Sequence, residues 1–267
     1  MKITNNLNLP AGIMHACSTN KHNMPGRLSA TTLLKGIKEI LLTERHWDEI
    51  EVDVADKIWA IWGTAVHALL EHEGDNEFAE EYIEMPVGNI TITGRIDNYN
   101  MRDGVITDYK TASVWKVKFA DFEDWRKQGL IYAWLLIKNG FTVNKCRFIA
   151  LLKDHSKTDA ERDASYPQSP VYVYEFNVTD ENIKYISYFC ENKIKDYLLY
   201  KDITDDDIPA CTPEDRWQKS EKYAVMKSGR KSAVKLFDDK ESAEALATEV
   251  GGYVEHRQCD PVKCRGY

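Results

Sequence analysis

The chain has 267 residues, 43% hydrophobic and 29% charged, with seven Trp and a formal net charge of −8. This composition excludes a disordered chain and a surface that grips nucleic acid everywhere by charge, while leaving room for a local basic groove. No apolar run approaches the roughly 18 residues that span a bilayer, Met1–Asn5 lacks a signal-peptide pattern, and the six cysteines are scattered, so a cytoplasmic protein with reduced thiols is expected.

Residues 1–28 are polar, with Pro10, Gly12, Pro25 and Gly26 as breakers, and are expected to be irregular. Ser29 caps an expected helix running to about Leu42. A second helix is expected over Val54 to Glu73, with Ile58, Ile61, Trp62, Ala65, Leu69 and Leu70 as its core-facing stripe. Strands follow at Ala79–Met85, Asn89–Met101 and Val105–Ala112. A long helix from about Ala120 to Asn139 should stop at Gly140. Two further strands, Lys145–Leu152 and Val171–Val178, precede a helix from Asp180 to Tyr200 capped by Thr179. Beyond the acidic stretch Asp202–Asp207 and Pro209, the pattern changes to a small β-β-α-β unit. The order predicts an α+β core over residues 1–208, opening with a helical segment, and a basic appendage over 209–267, packed on or near the core.

Chemistry concentrates between Gly94 and Thr111. Asp103-Gly104 signals a two-residue hairpin, because a type I′ turn needs positive φ at both positions. Such a turn pairs Arg102 with Val105, sets Asp97 opposite Lys110, and places Asp108 diagonal to Asp97 on the same face. Directly opposed Cβ atoms lie ~5 Å apart and diagonal ones ~7 Å, so two carboxylates and an ammonium converge. Oxygen ligands at that spacing suit Mg²⁺ or Mn²⁺. A bound ion lowers the pKa of a water and stabilises a phosphate in flight, and a neighbouring lysine orients the water and adds positive charge. A salt-bridged surface hairpin has the same residues, and this segment alone does not separate the two readings.

Gly63, His67 and Glu71 follow at i, i+4 and i+8 on one side of the second helix, and Gln128 and Tyr132 are one turn apart on the later one. With these, four motifs stand in order: Gly63-x-x-x-His67-x-x-Leu70-Glu71, Gly94-Arg95-Ile96-Asp97, Asp108-Tyr109-Lys110 and Gln128-x-x-x-Tyr132. The set resembles the RecB-like nucleases of the PD-(D/E)XK superfamily, nearest to phage and prophage exonucleases and more distantly to CRISPR-associated ones. The resemblance implies a restriction-endonuclease-like core, a central mixed sheet flanked by helices. It implies His67, Asp97, Asp108 and the Tyr109 main-chain carbonyl as metal ligands and Lys110 as the catalytic lysine. Glu71 would be a supporting acid, and Gln128 and Tyr132 would position the site or the DNA.

The expected reaction is hydrolysis of a DNA phosphodiester by a metal-activated water, with exonuclease action preferred because of the resemblance. A structure- or sequence-specific endonuclease on the same core, and a non-cleaving DNA-binding module, are the rivals. An exonuclease of the phage kind implies work beside a single-strand-annealing recombinase in DNA recombination or repair, and a homo-oligomer is compatible with it. Lys116 and Lys118 follow the third motif closely and are expected to meet phosphates. In the appendage, seven basic residues between Arg216 and Lys235 face one acid, Glu221, which makes Arg230 and Lys231 candidate DNA contacts or part of a solvated basic face. Some RecB-like relatives hold an iron–sulfur cluster. Cys17, Cys211, Cys259 and Cys264 offer the number but not the close spacing, so free thiols are favoured.

Overall fold

In the computed structural model, residues 1–18, 26–70 and 77–263 are described here, the side chains of 77–81 excepted. The chain divides into two compact units, Met1–Asp205 and Asp206–Tyr267.

The first unit is built on a six-stranded mixed sheet. Its strands are β2 (Arg27–Ser29), β4 (Glu77–Val87), β5 (Ile90–Asn100), β6 (Val105–Ala112), β7 (Lys145–Leu152) and β8 (Val171–Asn177). β4 pairs antiparallel along all of β5, β6 runs parallel to β7, and β8 closes the far edge antiparallel to β7. The N-terminal segment is not irregular as its composition suggested. It holds the short strand β1 (Lys2–Thr4) and helix α1 (Ala11–Ser18), and β2 enters the main sheet parallel to β5 at Thr91–Thr93. A three-residue strand leaves too short an alternation to read in advance. β1 makes a separate two-stranded ladder with β3 (Glu51–Asp53).

The helix expected from Ser29 to Leu42 is two helices, α2 (Ala30–Leu33) and α3 (Ile37–Arg45). Ser29 caps the first as expected, accepting from Thr32 N–H, but Gly36 adopts an extended conformation and restarts the chain as the cap of α3. Val54–Lys57 form a 3₁₀ turn, and α4 spans Ile58–Leu70. After β6 comes a short helix, α5 (Val114–Lys118), which ends where Ala120 takes a positive φ of 49°. α6 then begins at Glu123 and runs to Lys138. α7 (Lys157–Arg162) lies between β7 and β8, and α8 (Asp180–Tyr200) carries the expected Thr179 cap, doubled by the Asn182 side chain.

α6 reads Gly-Leu-Ile-Tyr-Ala-Trp-Leu-Leu over Gly129–Leu136, and every one of these residues is buried. A helix apolar all round must be covered all round. One side meets the sheet, where a Cβ on Gly129 would stand 3.0 Å from Phe148. α8 packs against α6 as well and buries Ile186, Cys190, Ile194 and Tyr197.

The second unit is the β-β-α-β arrangement. β9 (Lys222–Met226) is the centre of a three-stranded antiparallel sheet between β10 (Lys235–Phe237) and β11 (Tyr253–Arg257). α9 (Lys240–Val250) covers it through Ala243 and Ala247 against Val225.

Candidate active site

The β5–β6 hairpin differs from expectation in its turn, and the difference rearranges the site. The ladder pairs Asn100 with Val105, Tyr99 with Ile106 and Asn98 with Thr107, so Met101–Gly104 form a four-residue loop. Only Gly104 has positive φ, at 64°, whereas a type I′ turn needs two such residues. The loop is clamped from outside: Asn144 Nδ2 donates to the Asp103 carbonyl at 2.9 Å, and Asn144 N–H to the Gly104 carbonyl at 2.7 Å. A Cβ at Gly104 would lie 2.8 Å from the Thr142 carbonyl oxygen. In this register Asp97 falls opposite Asp108, not opposite Lys110. The slip is two residues, so side-chain parity survives and the three groups still gather.

The ladder stops at Asn98, and there the Tyr109 N–H donates 2.7 Å to Asp97 Oδ2 instead of to a β5 carbonyl. The other Asp97 oxygen meets His67 Nδ1 at 3.1 Å. His67 arrives from α4, which lies over the face of β6 bearing Thr111: a Cβ on Gly63 would sit 3.6 Å from Thr111 Oγ1. That is an ordinary contact, so Gly63 eases the approach of the helix without being demanded by it. The opposite face bears Asp108 and Lys110, and α6 covers it. Lys110 Nζ donates to Gln128 Oε1 at 2.9 Å, and Gln128 Nε2 donates to Tyr132 Oη at 2.8 Å. Gly94 makes room for that tyrosine, since a Cβ there would stand 3.1 Å from Tyr132 Cδ1 and 3.0 Å from Leu135 Cδ1.

Asp97, Asp108 and Gln128 are all buried. Lys110 Nζ lies 2.6 Å from Asp108 Oδ1 as its counter-ion. Gln128 Nε2 lies 3.5 Å from Asp108 Oδ2, so each oxygen of this carboxylate has one neighbour and a second lone pair left over. Burial pushes the Asp108 carboxyl up to about 6; the Lys110 charge opposes this and the Asp97 charge adds to it. His67 is raised by its hydrogen bond to Asp97, against partial desolvation.

Two buried carboxylates, each oxygen with one neighbour and a lone pair to spare, are the chemistry a hard divalent ion takes. Among the described residues no group of three or more His, Cys, Asp or Glu side chains forms a metal-holding cluster by itself. The donor chemistry present, two carboxylates with the main-chain carbonyl of Tyr109 next in sequence to Asp108, is all oxygen and suits such an ion.

The remaining expected residues fall elsewhere. Glu71 and Cys264 lie outside the described residues. Lys116 Nζ is held by Asp124 at 2.7 Å and Lys118 Nζ by Asp163 at 3.1 Å, so both ammoniums are already paired with carboxylates. Arg230 and Lys231 are exposed between β9 and β10 of the second unit. Cys17 is buried in the first unit with its thiol toward the Val54 carbonyl, while Cys211 and Cys259 belong to the second. The apolar stripe of α4 is not core: no residue of the helix is buried, and its half-buried side is Ile61, Gly63, Val66 and His67. The motif side faces the sheet and most of the hydrophobic side faces out. Missed by sequence reasoning were α5 and Asp154, whose carboxylate accepts from Ser113 Oγ at 2.6 Å and Val114 N–H at 2.8 Å. The only cue was Ser113 as a cap.

Among solved structures, the protein SSO0001 is 18% identical with a TM-score of 0.47, covering 68% of this chain and 81% of its own. The alkaline exonuclease of Laribacter hongkongensis is 12% identical, TM-score 0.41, covering 65% and 89%. A phage-related exonuclease from Haemophilus somnus 129PT is also 12% identical, TM-score 0.41, covering 68% and 98%. Likenesses this distant carry no functional argument. No curated protein matches the sequence. The family model of the PD-(D/E)XK nuclease superfamily matches residues 27–177, from the first strand of the main sheet to the last, taking in all four motifs. By that match, over more than half its length, the chain belongs to the PD-(D/E)XK nuclease superfamily.

Proposed function

We propose that the protein is a divalent-metal-dependent deoxyribonuclease acting as an exonuclease. The observation that carries the reading is the pair of buried carboxylates, Asp97 and Asp108, with the half-buried Lys110 ammonium 2.6 Å from Asp108 Oδ1 and the buried Gln128 behind it. Asp97, Asp108 and the Tyr109 carbonyl would hold Mg²⁺ or Mn²⁺, and His67 would meet it through Nε2, since Nδ1 is turned to Asp97. When bound, the ion supplies a water of lowered pKa and charge stabilisation at the phosphate.

The chain's own part follows from its contacts. Gln128 fixes the Lys110 ammonium by accepting from it, and Tyr132 fixes Gln128 in turn. With Asp108 Oδ1 taking a second N–H, Lys110 would present its third to the attacking water. Tyr109 N–H keeps the Asp97 carboxylate from rotating out of the gap between the strands. His67, with Nδ1 on Asp97, would steady that carboxylate.

The preference for exonuclease over endonuclease rests on the likeness of the four motifs to RecB-like exonucleases; fold alone does not set it. Closed-circular and linear duplexes compared under Mn²⁺ test it, because an exonuclease spares the circle. A recombination or repair role beside a single-strand-annealing recombinase belongs to the same reading, and co-purification of the two tests it. The second unit, with Arg230 and Lys231, would add DNA affinity, so a chain ending before it should bind DNA more weakly and with a shallower salt dependence.

A further inference from the structure

Four large aromatic rings stand in solvent on the two helices beside β6: Trp59 and Trp62 on α4, Trp115 and Phe119 at α5, each between 53% and 71% exposed. They are not scattered. Trp115 and Phe119 stack with centroids 5.7 Å apart and planes at 24°. Lys118 Nζ lies 5.5 Å from the Trp115 centroid, and Lys153 Nζ 4.0 Å from that of Trp59. Lys153 N–H donates to the Ala112 carbonyl at the end of β6, and Asp154, the next residue, caps α5. The same short segment therefore ties α5 and the Trp59 cation to the strand end that lies two residues past Lys110. Exposed apolar area of this kind is costly unless something uses it.

We propose that this surface is a stacking platform for the unpaired bases of a single DNA strand leading into the catalytic centre. The substrate class at that centre would then be single-stranded or frayed ends. The inference rests on the nuclease reading and deepens it. Flat rings accept any base face; Lys153 would exchange its contact with Trp59 for a phosphate, and Lys118 would have to leave Asp163 to do the same. Its position beside the Asp108–Lys110 strand and the lysines interleaved with its rings favour a nucleic-acid occupant over a second copy of the chain.

The test is anisotropy of a labelled oligothymidylate, an abasic strand of equal length and a blunt duplex, with the full-length protein in chelator so that nothing is cut. Stacking predicts that wild type binds the oligothymidylate about tenfold or more tighter than the abasic strand. It also predicts that Trp59→Ala/Trp115→Ala/Phe119→Ala removes that difference. Equal binding of base-bearing and abasic strands by wild type overturns the inference, whatever the variant does. So does a variant that keeps the difference, or one that loses only self-association on sedimentation. Chelator binding with stacking preference but no cutting under Mn²⁺ would leave this surface standing and remove the nuclease reading; cutting without preference would do the reverse.

Discussion

Gln128 accepts a hydrogen bond from Lys110 at 2.9 Å, so a helix that contributes no charge to the site decides where the Lys110 ammonium points. Substituting Gln128→Leu keeps the approximate volume and removes the acceptor. The expected result is a 10- to 100-fold fall in kcat with KM little changed, of the size typical when a supporting hydrogen bond is lost. A kinetic split in the opposite direction, KM raised and kcat kept, would place Gln128 at the DNA instead.

Lys110→Ala should abolish cutting while leaving DNA binding in chelator within a few-fold of wild type. Gel retention alongside digestion of end-labelled DNA checks both. Turnover at the wild-type rate would remove the lysine from the mechanism.

Asp108 links stability to pH. Its carboxyl, near 3.8 when unfolded, is lifted to about 6 by burial. The fold thus favours the protonated form, and its stabilising contribution is complete below pH ~4 and lost as pH rises through about 6. Asp108→Asn mimics the protonated state. Melting temperatures of the two proteins should nearly coincide at pH 4 and separate in favour of the variant at pH 7.5. Since protons compete with a cation for this carboxylate, Mg²⁺ or Mn²⁺ should raise the wild-type melting temperature more at pH 8 than at pH 5.

Gly94→Ala places a methyl 3.0–3.1 Å from Leu135 and Tyr132. Overpacking of this sort costs about 1–3 kcal/mol. Because Tyr132 buttresses Gln128, activity should fall with stability. Urea unfolding of Gly94→Ala, compared with Tyr132→Phe, separates packing from the loss of the tyrosine hydroxyl.

The long elements were legible because their periodicities are long: β5, β6, β7 and α8 lie close to where alternation and capping put them. Asp97, Asp108 and Lys110 were legible as a group because strand parity survives a two-residue slip. Their pairing was not. The turn is set by Asn144 and the Thr142 carbonyl, distant in sequence, and Asp103-Gly104 alone pointed to a tighter hairpin. α4 misled for another reason. Its hydrophobic stripe predicts burial if apolar residues always seek the core, but here the small and polar side, Gly63 and His67, has the sheet to face. The lysines after β6 were legible as cations and not as partners of Asp124 and Asp163, which fold back from later segments.

The central claim is tested most directly by digestion of end-labelled linear DNA under Mn²⁺ and Mg²⁺, with wild type and Asp108→Ala side by side. Progressive loss of label by wild type, dependent on the ion and absent in the variant, is the predicted result. Digestion by Asp108→Ala at the wild-type rate, or by wild type in chelator, would contradict it.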